Sequence, residues 1–135
     1  RGEDREAAAW NQRALKSKPQ DIIALNNLAW VLGKLGDPKS LEYGKRALAQ
    51  APRNAALLDT VGALNVQFGH VAEGVKDLEA AVAQAPGAVG VRINLARGLI
   101  KIGRKDEAEV HLGEAMKLAT TEAVRKEIDQ LRGGL

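Results

Sequence analysis

The chain has 135 residues, of which 45% are hydrophobic, 27% charged and only 3% aromatic, so it is one ordinary domain or a piece of a larger one, with a thin core of small aliphatic side chains. It contains no cysteine, which excludes disulfides and thiolate metal sites, and no apolar run of about 18 residues, which excludes a membrane-spanning helix. The net charge of +3, from 20 basic and 17 acidic residues, lacks the concentrated basic stripe of a nucleic-acid binder, so nucleic acid is not expected as a partner.

Along the chain, "REAAAWNQRALKSKP" (5–19) has helical apolar spacing and a proline stop. "IIALNNLAWVLGKLG" then places Leu25, Leu28, Ala29, Leu32 and Leu35 on one helical face. After a Gly-Asp-Pro break, "DPKSLEYGKRALAQAP" starts a second helix, with Pro38 expected in its first turn. The plan recurs as "LLDTVGALNVQFG" with "HVAEGVKDLEAAVAQAP", and as "VRINLARGLIKIG" with "RKDEAEVHLGEAMKLA". The last segment, "TEAVRKEIDQLR", is periodic but polar, as a helix closing a stack would be.

These segments are copies of one unit. Pro19, Pro52 and Pro86 are 33 and 34 residues apart, and the series Gly36, Gly69, Gly103 and Ala29, Gly62, Ala96 keep the same steps. Ala14, Ala47, Ala81 and Ala115 step by 33, 34 and 34. Thr120 falls where the next proline would stand, and the first complete unit is one residue short near Asp37 and Pro38. Small residues recur where two helices must approach closely: Ala29, Gly62 and Ala96 on the first helix of each pair, and Ser40, Gly74 and Ala108 on the second. The expected organisation is a single helical solenoid: a half repeat (5–19), repeats 22–54, 55–86 and 88–119, and a capping helix (121–132). A half repeat at the start carries the expectation that the natural protein continues upstream.

No catalytic constellation is expected. His70 and His111 fall at non-equivalent points of successive units, and no zinc, calcium or P-loop spacing occurs. "GLIKIGRK" (98–105) lacks the Lys-Ser or Lys-Thr ending of a phosphate loop and reads as a helix end with its glycine turn. Neither a cofactor nor a metal is expected.

The 34-residue period resembles the tetratricopeptide repeat. The family's Leu-Gly pair reads "LA" at Leu28, "VG" at Val61 and "LA" at Leu95, and its later Ala and Pro are met by Ala47 with Pro52 and Ala81 with Pro86. The family's aromatic positions are mostly leucine here, and Gly44 occupies one of them. The resemblance covers roughly residues 5–119. It implies an all-α, right-handed superhelix of antiparallel helix pairs, about eight helices with the cap, whose first helices line a concave surface that holds a peptide or partner protein. On that surface it implies Ile23, Asn26, Asn27, Trp30 and Lys34 from the first unit. The second unit supplies Asp59, Thr60, Ala63 and Gln67, and the third Ile93, Asn94, Arg97 and Lys101. Asn27 and Asn94 are equivalent positions that either bond neighbouring helices or pair with a ligand backbone. Trp30 is the best candidate anchor, the alternative being that it packs against the neighbouring half repeat. The carboxylate clamp of chaperone-tail binders is not implied, because its positions carry Asn26, Trp30, Thr60, Gly90 and Asn94.

The wording "NNLAW", "LDT" and "NLARGLIKIGRKDEA" also resembles the C-terminal repeats of bacterial lipoproteins that accompany exosortase sorting and exopolysaccharide export. That likeness implies a periplasmic or outer-membrane-associated scaffold anchored through an upstream segment, with a cytoplasmic setting as the alternative. Two other roles remain open: self-assembly as a homo-oligomer through stacked repeat ends, and a docking arm for a larger enzyme.

Overall fold

The computed structural model describes residues 2–135 and consists of eight helices: α1 (Gly2–Ser17), α2 (Ile22–Lys34), α3 (Lys39–Gln50), α4 (Ala55–Gln67), α5 (Val71–Gln84), α6 (Val89–Lys101), α7 (Lys105–Leu118) and α8 (Glu122–Gly133). There is no strand among the described residues.

Local chemistry starts and stops these helices. Asp21 Oδ1 accepts the backbone N–H groups of Ile23 at 3.0 Å and Ala24 at 3.2 Å, so α2 begins on a satisfied cap. Asn54 and Thr121 do the same for α4 and α8, taking the N–H of Leu57 and of Val124. The periodic glycines are helix terminators. Gly36, Gly69 and Gly103 have φ of 73°, 91° and 78°, in the left-handed region that a Cβ disfavours. The amide after each reaches back into the helix: Asp37 to the Leu32 carbonyl, His70 to that of Asn65, and Arg104 to that of Leu99.

The missing residue of the first unit is absorbed at its turn. Pro38 stands at the N-cap of α3 rather than within its first turn, and the Asp37 side chain accepts the Lys39 N–H at 2.9 Å.

Helix pairs close on the small residues. Ala29, Ser40, Ala96 and Ala108 are fully buried. A Cβ on Gly74 would lie 2.6 Å from the Gly62 carbonyl oxygen, and one on Gly62 would lie 2.7 Å from Leu78 Cγ. The space an aromatic would fill at Gly44 is taken by the next pair, since a Cβ there would meet Val61 Cγ2 at 3.2 Å. Ala47, Ala81 and Ala115 are likewise buried, whereas Ala14 is exposed on α1.

The core runs the length of the stack. Leu15, Leu25, Leu28 and Leu57 join α1 through α4 at one end, and Leu78, Leu95, Leu99, Leu112 and Ile128 join α5 through α8 at the other. Each such leucine contributes about 1.5–3 kcal/mol by leaving water. First helices also pack on one another, α2 on α4 and α4 on α6, while α3, α5 and α7 make no comparable contact among themselves. The stack is therefore tighter on the first-helix side and curves into a superhelix that is concave there.

Candidate functional site

The repeat register sets the concave face out in rows, each formed by one position of α2, α4 and α6. One row reads Asn27, Thr60, Asn94; the next reads Trp30, Ala63, Arg97; the last, at the C-terminal ends of the three helices, reads Lys34, Gln67, Lys101. The rows differ between the two halves of the face, so the halves present different chemistry.

At the α2–α4 end the rows enclose an apolar cleft of about 130 Å³, lined by Trp30, Gly33, Lys34, Thr60, Ala63, Leu64 and Gln67. Gly33 makes it possible: a Cβ at that point would lie 2.6 Å from Leu64 Cδ2. The polar groups around it are largely committed to backbone. Gln67 Nε2 donates to the Gly33 carbonyl at 2.8 Å, and Thr60 Oγ1 donates to that of Ala56 at 2.9 Å. Trp30 stays 51% exposed beside this cleft, and Ile23, two turns earlier on α2, is 73% exposed.

At the α4–α6–α8 end the face is a polar relay. Asn94 Nδ2 donates to Asp59 Oδ1 at 3.0 Å, and Arg97 Nη1 donates to Asn94 Oδ1 at 3.2 Å. Arg97 Nη2 then pairs with the Glu127 carboxylate of α8. Burial pushes the Asp59 carboxyl above its ordinary range, and the Asn94 hydrogen bond partly offsets this.

Sequence expectation and structure differ at one place here, and Asn94 takes one of the two roles left open for it. Ile93 is only 3% exposed and belongs to the core that also holds Ile128, so it is not part of the concave surface. Asn94, equivalent in register to Asn27, is bonded to α4 and to Arg97, whereas Asn27 is exposed. Asn26 is half-buried, with its Oδ1 lacking a donor. The cleft brings together Trp30, Lys34, Thr60, Ala63 and Gln67; Asp59, Asn94 and Arg97 meet in the relay. Ile23 and Lys101 are exposed at either end of the face.

Sequence reasoning did not single out Gly33, Leu64 or Glu127. A signal existed for Gly33: it stands mid-helix at the position where the sister repeats carry Val66 and Ile100, and an interior helical glycine costs about 1 kcal/mol unless close packing needs it.

The histidines stand apart from this face. His70 precedes α5, and His111 on α7 takes a 3.1 Å hydrogen bond with Arg92. Burial first, and then the Arg92 charge, push the His111 pKa down. No group of three or more His, Asp or Glu side chains that could hold a metal ion forms among the described residues. No helix there is long and apolar enough to cross a membrane. What the concave face offers is noncovalent: an apolar cleft, amides and charges in register.

A family model described as tetratricopeptide repeat matches residues 66–126. Among solved structures, the chain is similar to TTC0263, a thermophilic TPR protein of Thermus thermophilus, with a TM-score of 0.87 and 26% identity over 98% of this chain and 75% of that one. It is similar to YrrB, described as a TPR protein with an unusual peptide-binding site, with a TM-score of 0.80 and 20% identity over 96% of this chain and 67% of that one. PilF of Pseudomonas aeruginosa gives a TM-score of 0.83 and 24% identity, covering 99% of this chain and 62% of that one. With the repeat period, the glycine-terminated first helices and the small-residue seams, these matches show the tetratricopeptide repeat fold, and residues 66–126 match the tetratricopeptide repeat family.

Proposed function

We propose that the chain is a non-catalytic scaffold that holds an extended peptide or partner segment in its concave face, anchored at the α2–α4 cleft. One observation carries this reading: Trp30 stands half-exposed at the lip of a preformed apolar cleft. A large aromatic beside a ready pocket is the kind of position where binding energy concentrates. The peptide-binding site ascribed to YrrB on the same fold supports it.

Affinity capture from host extract tests it, comparing the wild-type chain with Trp30→Ala/Ala63→Glu in the cleft and with Val110→Glu on α7. Proteins retained by wild type and by Val110→Glu but lost by the cleft variant support the reading. The same proteins on all three surfaces, or none on any, would remove the groove from the account.

The resemblance of "NNLAW" and "NLARGLIKIGRKDEA" to repeats of export-associated lipoproteins supports a setting in bacterial export or exopolysaccharide assembly, at the periplasmic or outer-membrane side. Fractionation of cells expressing the full gene product tests that setting; recovery in the cytoplasmic fraction alone would overturn it.

A second reading has its own observation. On α1, Trp10 is 68% exposed and Ala14 is exposed, although the equivalent Ala47, Ala81 and Ala115 are buried under neighbouring helices. This face suits a helix from a second copy stacked end to end. Sedimentation equilibrium decides it: a mass that rises with concentration, and is lost in Trp10→Ser/Ala14→Glu, supports self-assembly, and a monomer throughout removes it.

A further inference from the structure

We propose that the concave face selects an acidic, extended segment that carries one aliphatic side chain: the aliphatic group enters the Trp30 cleft, and flanking carboxylates meet Lys34 and Lys101. This rests on the groove reading above and adds the chemistry of the ligand.

The cleft sets the apolar part. Its volume is about 130 Å³, and an apolar cavity of about 150 Å³ is enough to hold one benzene molecule. One branched aliphatic side chain therefore fills it. Its walls are Trp30, Ala63 and Leu64, with Gly33 as the floor.

The charges set the rest. Of the groups on this face, Glu127 is neutralised by Arg97, and the Asp59 carboxylate is half-buried and held by Asn94. Lys34 and Lys101 are exposed and pair with no carboxylate among the described residues. They are equivalent positions two repeats apart, at the same edge of the face, with Gln67 between them. A lysine in a last turn offsets the helix dipole, which accounts for its position yet leaves its charge free to meet a ligand anion. Lys34 also lines the cleft itself, so one carboxylate next to the anchored side chain is within reach of it. An extended backbone crossing α2, α4 and α6 passes Lys34, the Gln67 amide and Lys101 in turn.

The experiment uses the Trp10→Phe chain, in which Trp30 is the only tryptophan left to report. Its emission is titrated with synthetic peptides reading Glu-Glu-Leu-Glu-Glu, Ser-Ser-Leu-Ser-Ser, Lys-Lys-Leu-Lys-Lys and Glu-Glu-Gly-Glu-Glu between neutral ends. The acidic leucine peptide is expected to bind about tenfold tighter than the serine peptide at low ionic strength, with the margin shrinking as salt screens it. Loss of the leucine side chain is expected to abolish the emission change. In Lys34→Glu/Lys101→Glu, which remains helical because both positions are exposed, the preference is expected to reverse toward the lysine peptide. If serine or lysine peptides bind as tightly as the acidic one, the acidic selectivity is overturned while the groove reading stands. If no peptide moves Trp30 emission, both fall.

Discussion

Asn65 donates its side-chain amide to the Asp77 carboxylate at 3.0 Å in the middle of the stack, while its own Oδ1 is buried with no donor. The sister repeats place Leu32 and Leu99 at the same position of the first helix, both buried. A buried acceptor without a partner costs roughly 1–3 kcal/mol. Asn65→Leu is therefore expected to stabilise the fold by about 1 kcal/mol, because Asp77 is only half-buried and finds water instead. The check is urea unfolding, with the midpoint rising at unchanged slope. A lower midpoint would mean that the Asn65–Asp77 bond outweighs its unpaired oxygen.

Asp59 and Asp77 share a second consequence. Burial raises both carboxyls above the ordinary 3.8, against their Asn94 and Asn65 hydrogen bonds. Between 3.8 and the raised folded values the native chain holds more protons than the unfolded one, so stability falls as pH rises through that window. Asp59→Asn/Asp77→Asn keeps both acceptors and removes both charges. Its melting temperature is expected to exceed that of wild type at neutral pH, and the gap is expected to narrow as pH falls toward 3.8. A gap that stays constant with pH would refute the linkage.

Ser40, Gly74 and Ala108 occupy one repeat position in three different packing states. The Ser40 hydroxyl is buried with no partner, so Ser40→Ala is expected to gain about 1 kcal/mol. Gly74→Ala adds the same methyl where a Cβ would sit 2.6 Å from the Gly62 carbonyl oxygen and 2.7 Å from Val66 Cγ2. Overpacking of this kind costs about 1–3 kcal/mol, more than the roughly 1 kcal/mol that alanine gains over glycine in a helix. Denaturant midpoints of the two variants should therefore move in opposite directions, and movement in the same direction would contradict the packing account.

Trp30 provides a contrast with the core. Truncating a buried tryptophan costs about 3–5 kcal/mol, but Trp30 is 51% exposed. Trp30→Ala is expected to cost about 1–2 kcal/mol, since only about half of the side chain is out of water, as read from its melting curve, and to abolish binding. A large loss of stability would make Trp30 a packing residue.

The helices, their period and their ends were legible because local, repeated chemistry writes them: proline stops at Pro19, Pro52 and Pro86, glycines at Gly36, Gly69 and Gly103, and small residues at the seams. The concave face was legible in outline, since it follows from the same register. What escaped depends on contacts distant in sequence. Ile93 reads as a surface position by analogy with Asn26 and Asp59, but it is drawn into the core that includes Ile128 of α8. The Asn94–Asp59 bond spans 35 residues, and no pattern within one repeat announces it. Nor does the register show that Gly33 and Leu64 shape a cleft, since that depends on how closely α4 approaches α2.

Amide hydrogen exchange of the chain, alone and with the partner it captures, tests most directly whether the groove is the binding face. The groove account predicts slowed exchange in α2 and α4, with the Trp30 indole N–H shifting its resonance and α7 unchanged. Protection confined to α1, or to the outer faces of α3, α5 and α7, would contradict it.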